Sequence, residues 1–240
     1  DHILKLPSYK NTPIIRIQDP NMRSRMLNHV LAQILIYQLK LTEYNKAQQK
    51  NIWLDERHTS LNKDLTIGVL GVGYLGKFIA NKLKSLNYNV IGYKNTISAA
   101  KFSIPIYYKK SLKTFLKLSD IIVSVLPATK ETRDLINKSF LNQMKKKSLL
   151  INIGRGSSLN EMDLLKHIKQ NNFFFASLDV FKKEPLPKNS KLWKNQNITV
   201  TPHVAAITDV DSSINYIFSK FEQFRTNGKI KSDVKIKNGY

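Results

Sequence analysis

The sequence contains no cysteine, which excludes a disulfide framework, a thiolate metal site and a cysteine nucleophile. It also lacks an apolar run long enough to cross a membrane, and no signal peptide is visible. Acidic residues are scarce, with 17 Asp and Glu against 39 Lys and Arg, and no glycine precedes Gly68. Together these absences favour a cytoplasmic protein without a membrane partner.

The formal net charge of +22 raises the question of nucleic acid or an anionic membrane surface. The lysines are scattered, however, with only short runs such as Lys145 to Lys147, and they accompany many Asn and Ile residues. This pattern indicates the compositional bias of an AT-rich genome. We therefore expect no nucleic-acid partner, although a positive field would steer an anionic substrate and cofactor to the site.

The stretch from Thr66 to Ala80 reads T-I-G-V-L-G-V-G-Y-L-G-K-F-I-A. Its first five residues are typical of a strand covered on both faces, and the apolar residues after the glycines recur at helical spacing. A glycine turn in that position is a phosphate-binding turn, in which Gly71 allows the bend, Gly73 lets the backbone approach a pyrophosphate, and Gly76 lets helix and strand pack closely. An ordinary glycine-rich turn is the weaker alternative, because the strand and the helix are both present.

Strands and helices alternate along the rest of the chain, which predicts an α/β fold with a doubly wound parallel sheet of the Rossmann type. We expect a long amphipathic helix from Pro20 to about Gln48, helices around 139–146 and 160–170, and a terminal helix that Gly228 can stop. The strands predicted after the central one are Asn89 to Tyr93, Ile104 to Tyr107, Asp120 to Leu126, Ser148 to Ile153, Phe174 to Val180 and Ile198 to Thr201.

The end of the second strand bears on the choice of cofactor. An NAD-binding unit places Asp or Glu there, about 20 residues past the glycines, to hold the ribose hydroxyls. This chain has Tyr93-Lys94-Asn95-Thr96 instead. A carboxylate would repel a 2′-phosphate, whereas Lys94 can pair with it and Asn95 or Thr96 can donate hydrogen bonds. The absent acid favours NADP over NAD, with NAD as the alternative; for Lys94 alone, membership in a lysine-rich chain explains the residue equally well.

Three later strand ends carry unusual residues: N-I-G-R-G at 152–156, L-D-V-F-K-K-E-P-L-P at 178–187 and T-P-H-V-A-A at 201–206. With the glycine turn and the L-P-x-T-x-x-T loop at 126–132, they follow the order and spacing of the D-2-hydroxyacid dehydrogenase family. The sequence strongly resembles that family from about residue 20 to its end. Within it, the N-I-G-R-G variant, the lysine in place of the acid, T-P-H-V-A-A and the N-G-Y terminus at 238–240 are most similar to the glyoxylate/hydroxypyruvate reductases.

The resemblance implies an NADPH-dependent enzyme that reduces a small anionic 2-oxo acid, glyoxylate or hydroxypyruvate, to the 2-hydroxy acid. Arg155 offers a planar fork of donors for the carboxylate and carbonyl of such a substrate. His203 would act as general acid and base at the carbonyl oxygen. Glu184 would accept a hydrogen bond from the other ring nitrogen and orient the ring. No metal is needed for this chemistry.

The resemblance also assigns cofactor contacts to the glycine turn, to the end of the second strand and to the later strand ends. Each residue has a plainer alternative: for Arg155 an exposed loop charge, for Glu184 a surface residue, for His203 a helix cap, and for Asp179 a carboxylate that stabilises a turn. We assign His2, His29, His58 and His167 to solvent or packing. The expected cofactor contacts are Gly71, Gly73, Tyr74, Leu75, Gly76, Lys94, Asn95, Thr96, Leu126, Pro127, Ile153, Gly154, Arg155, Asp179, His203 and Ala205.

The family resemblance divides the chain into three parts. Because the chain begins at Asp1 rather than methionine, we expect residues 1–19 to be the remnant of a substrate-binding domain whose front part is missing. Residues 20–210 would form the NAD(P)-binding domain with its long linking helix, and 211–240 a helix and tail that return toward the substrate domain. The long helix resembles the family's dimer helix, which predicts a homodimer; a helix buried within one chain is the alternative. Its apolar stripe is Met26, Leu27, Val30, Leu31, Ile34 and Leu35.

Other functions stay open at this point. Among enzymes, phosphoglycerate dehydrogenase or another D-2-hydroxyacid dehydrogenase is the alternative, because the missing domain shapes the substrate pocket. A non-catalytic, dinucleotide-sensing protein is a second alternative, and turnover would separate it from an enzyme. An inert fragment of a longer protein is a third.

Overall fold

The computed structural model describes residues 7, 9, 10, 12–17, 19–55, 60–97, 101–171, 174–230 and 232. The predictions on His2, His58 and 238–240 lie outside these residues. The α-helices of the described part are α1 Pro20–Gln38, α2 Leu41–Gln48, α3 Tyr74–Ser85, α4 Leu112–Leu118, α5 Lys138–Leu141, α6 Glu161–Gln170 and α7 Val210–Asn227. The strands are β1 Thr66–Leu70, β2 Asn89–Lys94, β3 Ile106–Tyr108, β4 Ile121–Ser124, β5 Ser148–Asn152, β6 Phe174–Leu178 and β7 Ile198–Val200.

The strands form one 7-stranded parallel sheet in the order β3-β2-β1-β4-β5-β6-β7. The predicted doubly wound fold is therefore confirmed. Chain order reverses at β1, which pairs with β2 on one side and β4 on the other. In open sheets of this kind a ligand binds at such a switch point, beyond the carboxyl ends of the strands.

Both faces of the sheet are covered by helices. Ile67 and Val69 of β1 belong to an apolar core with α1 and α3, while Leu70 belongs to a second core with α4, α5 and α6. Successive strand residues point to opposite faces, so each strand contributes to both cores. This explains why the central strands are apolar without alternation, and it anchors the loops at their carboxyl ends on a rigid base.

The long first helix is shorter than predicted. It ends at Gln38, and Lys40 takes a left-handed conformation with a φ of 55° before the separate helix α2 begins. Gln38 donates hydrogen bonds to the Ser60 carbonyl and to Asn62 Oδ1, which fix this end of α1 against the segment before β1. The break follows from these distant contacts, because neither proline nor glycine marks it in the sequence.

The prediction for the apolar stripe of α1 is wrong for half of its members. Met26, Val30 and Ile34 are at most 4% exposed and pack in the core of this same chain. They therefore cannot form a subunit interface. Leu35, by contrast, is 41% exposed.

Other boundaries differ by a few residues. Strand β4 begins after Asp120. The Asp120 carboxylate accepts hydrogen bonds from the Thr66 N–H, at the start of the neighbouring strand β1, and from the Lys145 ammonium. Strands β4 and β6 end two residues earlier than predicted, β3 begins two residues later, and α5 is shorter. Helix α4 was not predicted. Among the described helices, none combines the length and apolar content that a membrane crossing requires.

Candidate active site

The glycine turn joins β1 to α3 at the switch point. Gly71 has a φ of +101°, which only glycine adopts without strain, and its N–H donates to the Tyr93 carbonyl at 3.1 Å. A Cβ at Gly76 would collide with the Gly71 carbonyl oxygen and lie 3.3 Å from Val69 Cγ1. Helix α3 therefore approaches β1 as closely as its backbone permits.

The space in front of the turn fits a dinucleotide phosphate. A Cβ at Gly73 would meet no atom within 4 Å, so the backbone there faces open space at the N-terminus of α3. A side chain at this position would fill that space and keep a phosphate from the free N–H groups of the helix. Tyr74 is exposed and Leu75 half-buried beside it. The cradle thus suits a pyrophosphate.

The adenosine end of the cleft lies at the carboxyl end of β2. Lys94 is half-buried and donates a hydrogen bond to the Val72 carbonyl at 3.2 Å, which ties it to the glycine turn. Burial lowers the pKa of the Lys94 ammonium from its ordinary value. Asn95 and Thr96 follow it and are exposed. A basic group therefore stands where an acid would hold the ribose of NAD.

On the other side of the switch point, the loops after β4 and β5 touch. A Cβ at Gly154 would lie 2.5 Å from the Leu126 nitrogen and 2.6 Å from its carbonyl oxygen. Leu126 and Ile153 are buried, with Pro127 half-buried next to them. These residues form an apolar floor between the glycine turn and the residues that could carry the chemistry.

Arg155 projects from this floor. Its backbone is extended and its side chain exposed, and Nη1 donates to the Gly154 carbonyl at 2.8 Å. A Cβ at Gly156 would collide with the Phe181 backbone, so the next residue is held tightly against the loop after β6. The guanidinium N–H groups that this bond does not use can donate to a carboxylate.

His203 and Glu184 form a hydrogen-bonded pair across two loops. Nδ1 of His203 lies 2.7 Å from Oε2 of Glu184, and Oε1 of Glu184 accepts from the Phe181 N–H at 2.8 Å. Because a carboxylate only accepts, Nδ1 carries the proton in this pair. Nε2 is thereby left as the ring atom that can exchange a proton with a substrate.

The backbone of His203 has a positive φ of 55°, which is uncommon for a residue other than glycine. Its N–H is held by the Asp179 carbonyl at 2.9 Å and the Thr201 carbonyl at 3.1 Å. Such backbone outliers cost of order 1–3 kcal/mol and cluster at functional sites. The surrounding hydrogen bonds hold the imidazole in one direction.

Asp179 is buried, and its carboxylate stabilises the loop at 201–205 that carries His203. Its Oδ1 accepts from the Thr201 hydroxyl at 2.6 Å and from the Val204 N–H at 2.9 Å, and its Oδ2 accepts from the Ala205 N–H at 3.0 Å. The side chain is 1% exposed. The turn-stabilising alternative raised for Asp179 is thus present in the structure, since its carboxylate holds residues on both sides of His203.

Two residues that support this loop were not predicted from the sequence. Thr201 donates to Asp179, and the Asn152 carbonyl accepts from the Asp179 N–H at 3.0 Å. Both lie inside motifs that the sequence displays, but only the pairing of β5, β6 and β7 brings them together. Their types alone, a threonine before proline and an asparagine at a strand end, gave no signal.

The other described histidines are not part of this cluster. His167 packs edge-on against Phe174, with ring centroids 4.8 Å apart. His29 is half-buried on α1; burial lowers its pKa, and the charge of Asp179 opposes that shift. The predicted site residues fall into two groups along one edge of the sheet, with Lys94 to Thr96 at the adenosine end and Arg155, Glu184 and His203 at the other.

A doubly wound sheet with a glycine turn at its switch point, followed by an arginine and a paired histidine, defines a nicotinamide-dependent dehydrogenase. Residues 31–205 match the family described as D-isomer specific 2-hydroxyacid dehydrogenase, NAD binding domain. The chain belongs to this family.

Relatives agree with the assignment. The chain is 36% identical over 228 residues to glyoxylate/hydroxypyruvate reductase A of Photorhabdus laumondii, which covers 95% of this chain and 72% of the relative. An NADPH-dependent glyoxylate/hydroxypyruvate reductase of Sinorhizobium meliloti, solved with NADP and sulfate, superposes with a TM-score of 0.93 at 31% identity, over 100% of this chain and 77% of that one. A probable 2-hydroxyacid dehydrogenase of Rhizobium etli, solved with NADP, HEPES and L(+)-tartaric acid, gives a TM-score of 0.92 at 28% identity with the same coverage.

Proposed function

We propose that this protein reduces glyoxylate or hydroxypyruvate to the corresponding 2-hydroxy acid with NADPH. The observation that carries the proposal is the pair of His203 and Glu184, 2.7 Å apart at the carboxyl edge of the sheet. It is the arrangement that a general acid requires, because one ring nitrogen is oriented by a carboxylate and the other is free.

The bound cofactor supplies the hydride, and the residues of the chain supply positioning and the proton. Arg155 would hold the substrate carboxylate through its remaining N–H groups, which fixes the carbonyl relative to His203. His203 would donate its Nε2 proton to the carbonyl oxygen, where negative charge develops. Glu184 stabilises the protonated ring and keeps it from rotating.

The preference for NADPH has two supports. Lys94 occupies the place of the acid that binds ribose hydroxyls in NAD-specific units, and it is tied to the glycine turn through Val72. The solved relatives from Sinorhizobium and Rhizobium carry NADP. We expect NADPH to bind more tightly than NADH in a titration that follows nicotinamide fluorescence.

The decisive test is turnover of His203→Ala. The chain spans 72% of its Photorhabdus relative, so the assay uses the chain as it stands and the chain joined to the part of that relative that the match does not cover. His203→Ala should lower the turnover number for glyoxylate by about 100-fold or more, because the proton moves only as the hydride does.

Its NADPH affinity should stay close to that of the parent, which serves as the internal control for folding. Turnover near the parent value would remove His203 as the acid. If both parent forms bind NADPH and neither turns over any 2-oxo acid, the dinucleotide-sensing alternative replaces the enzyme. Faster turnover of a larger 2-hydroxy acid would favour a phosphoglycerate-type dehydrogenase.

The domain division predicted from the sequence is part of the proposal. Helix α7 has an apolar stripe with little cover in this chain: its five large members, Ile214, Ile217, Phe218, Phe221 and Phe224, are 44–62% exposed. We propose that this stripe packs against the substrate-binding domain to which residues 1–19 belong, while 20–210 form the cofactor domain. A homodimer and a cytoplasmic location, where soluble nicotinamide cofactors are available, complete the proposal.

A further inference from the structure

Two lysines converge on a single phenylalanine at the adenosine end of the cleft. The Lys94 ammonium lies 5.4 Å from the centre of the Phe102 ring, and the Lys77 ammonium lies 5.6 Å from the same centre. Lys77 is exposed in the second turn of α3, and its Nζ donates to the Lys101 carbonyl at 3.3 Å. Lys77 of α3 and Lys94 of β2 thus approach the same ring from two different elements.

These ammonium groups have no carboxylate partner among the ion pairs of the described residues. Each is held by a carbonyl and by the face of the Phe102 ring, which are weak compensation for two like charges. The half-burial of Lys94 adds a desolvation cost to its charge. An anion placed between the two lysines would relieve both costs.

We propose that Lys77 and Lys94 together bind the 2′-phosphate of the dinucleotide, with Phe102 as the residue that positions both ammonium groups. The inference rests on the proposed function and adds Lys77 and Phe102 to it. Neither residue was singled out by its sequence pattern, since Lys77 lies within an amphipathic helix and Phe102 in a connecting segment.

The 2′-phosphate fits this place better than the pyrophosphate does. Lys94 ends the strand whose terminal residue holds the ribose hydroxyls in dinucleotide-binding units. The pyrophosphate cradle is at Gly73, where the helix N-H groups are free, and Lys77 lies one turn further into α3. A ligand anion at Lys77 and Lys94 would therefore be the one attached to the ribose.

The test uses the chain as it stands and compares two probes by calorimetric titration, 2′,5′-ADP and 5′-AMP. The probes differ only in the 2′-phosphate. Lys77→Gln should weaken 2′,5′-ADP about tenfold, because a charged hydrogen-bond partner of the phosphate is lost, and should leave 5′-AMP nearly unchanged. Lys82→Gln is the matched control, since Lys82 is exposed on the same helix; it should bind both probes like the parent.

Phe102→Leu tests the positioning role. It keeps both charges but removes the ring, so the preference for 2′,5′-ADP over 5′-AMP should narrow by a few fold while 5′-AMP binding persists. Equal weakening of both probes by Lys77→Gln would mean a general loss of the site and would overturn the inference. A preference for 2′,5′-ADP over 5′-AMP that Lys77→Gln leaves unchanged would also overturn the inference. In that case Lys94 alone binds the 2′-phosphate, and the NADPH proposal stands. A parent chain that binds both probes equally would overturn the NADPH preference together with the inference.

Discussion

At the residue scale, the site depends on short polar contacts that give each side chain one direction. The Glu184 carboxylate touches only His203 Nδ1 and the Phe181 N–H among its hydrogen bonds in the described residues. The Glu184 carboxylate therefore orients and stabilises one imidazole ring, that of His203. Replacing its charge while keeping its shape should separate these two contributions.

Glu184→Ala should lower the turnover of glyoxylate by about tenfold or more, because the ring of His203 then loses the carboxylate that orients it. Glu184→Gln should lower turnover less, since its amide oxygen can still accept a hydrogen bond from Nδ1. The measurement is turnover at saturating NADPH and glyoxylate. Turnover of Glu184→Gln near the parent value would show that Glu184 acts through geometry alone, and turnover of Glu184→Ala near that value would remove its positioning role.

Arg155 tests the recognition of the substrate carboxylate. Arg155→Lys keeps the positive charge but loses the planar fork, so the Michaelis constant for glyoxylate should rise and turnover should fall, each by about tenfold. The parent NADPH affinity should persist. Initial rates over a range of glyoxylate concentrations measure both constants. An unchanged Michaelis constant would mean that a residue other than Arg155 binds the substrate carboxylate.

At the element scale, a buried carboxylate joins the starts of two helices that are far apart in sequence. Asp19 caps α1 through the Asn21 N–H at 2.7 Å and also accepts from the Asp209 N–H at 3.0 Å and the Ser212 hydroxyl at 2.7 Å. Burial raises the pKa of Asp19, but the hydrogen bonds from Ser212, Asp209 and the start of α1 outweigh it, so the pKa lies below its ordinary value. Asp19 therefore positions α7 relative to the cofactor domain.

The pH dependence of stability follows from that direction. Because the folded-state pKa is lowered, the stabilisation is present above the unfolded-state pKa of about 3.9 and is lost as pH falls through the folded-state value. Asp19→Asn should lower the free energy of unfolding by about 1–3 kcal/mol at pH 7, and the difference from the parent should narrow as pH falls below the unfolded-state pKa. Urea unfolding at pH 7 and pH 3 measures it. Asp211→Asn, an exposed acid in the first turn of α7, is the control and should change stability little.

At the scale of the whole molecule, two groups of exposed apolar side chains stand out among the described residues. One is the stripe of α7, and the other follows α2, where Ile52, Trp53 and Leu61 are 54%, 93% and 60% exposed. The buried half of the α1 stripe cannot serve as a dimer contact, so the proposed dimer needs a different surface. We propose that Ile52, Trp53 and Leu61 supply one.

We expect a dimer in light scattering at micromolar concentration, with twice the mass of the chain. The double variant Ile52→Ser, Trp53→Ser should shift the equilibrium toward monomer, because it removes two exposed apolar side chains from the proposed interface. Met162→Ser removes an exposed apolar residue on α6 and should leave the dimer intact. A parent chain that is monomeric under these conditions would contradict the dimer proposal.

The sequence by itself determined the strand, turn and helix at 66–80, the alternation that makes a parallel sheet, and the motifs that place Arg155, Glu184 and His203 at strand ends. These features are local: burial on both faces, helical spacing and the need for glycine at Gly71 and Gly76 are all written in consecutive residues. The family resemblance carried the chemistry of the site.

The Asp-Pro pair at 19–20 already predicted that Asp19 caps α1, and the structure confirms it. Only the tertiary structure decided which side of α1 is inside, where that helix breaks, how Asp19 reaches α7, and which residues Asp179 and Phe102 contact. Gln38 ends α1 through Ser60 and Asn62, and Asp179 holds residues more than twenty positions away. Such partners have no fixed spacing in the sequence, because the packing of the sheet brings them together. An apolar stripe likewise shows that a helix face is covered, while the identity of the covering surface depends on the fold.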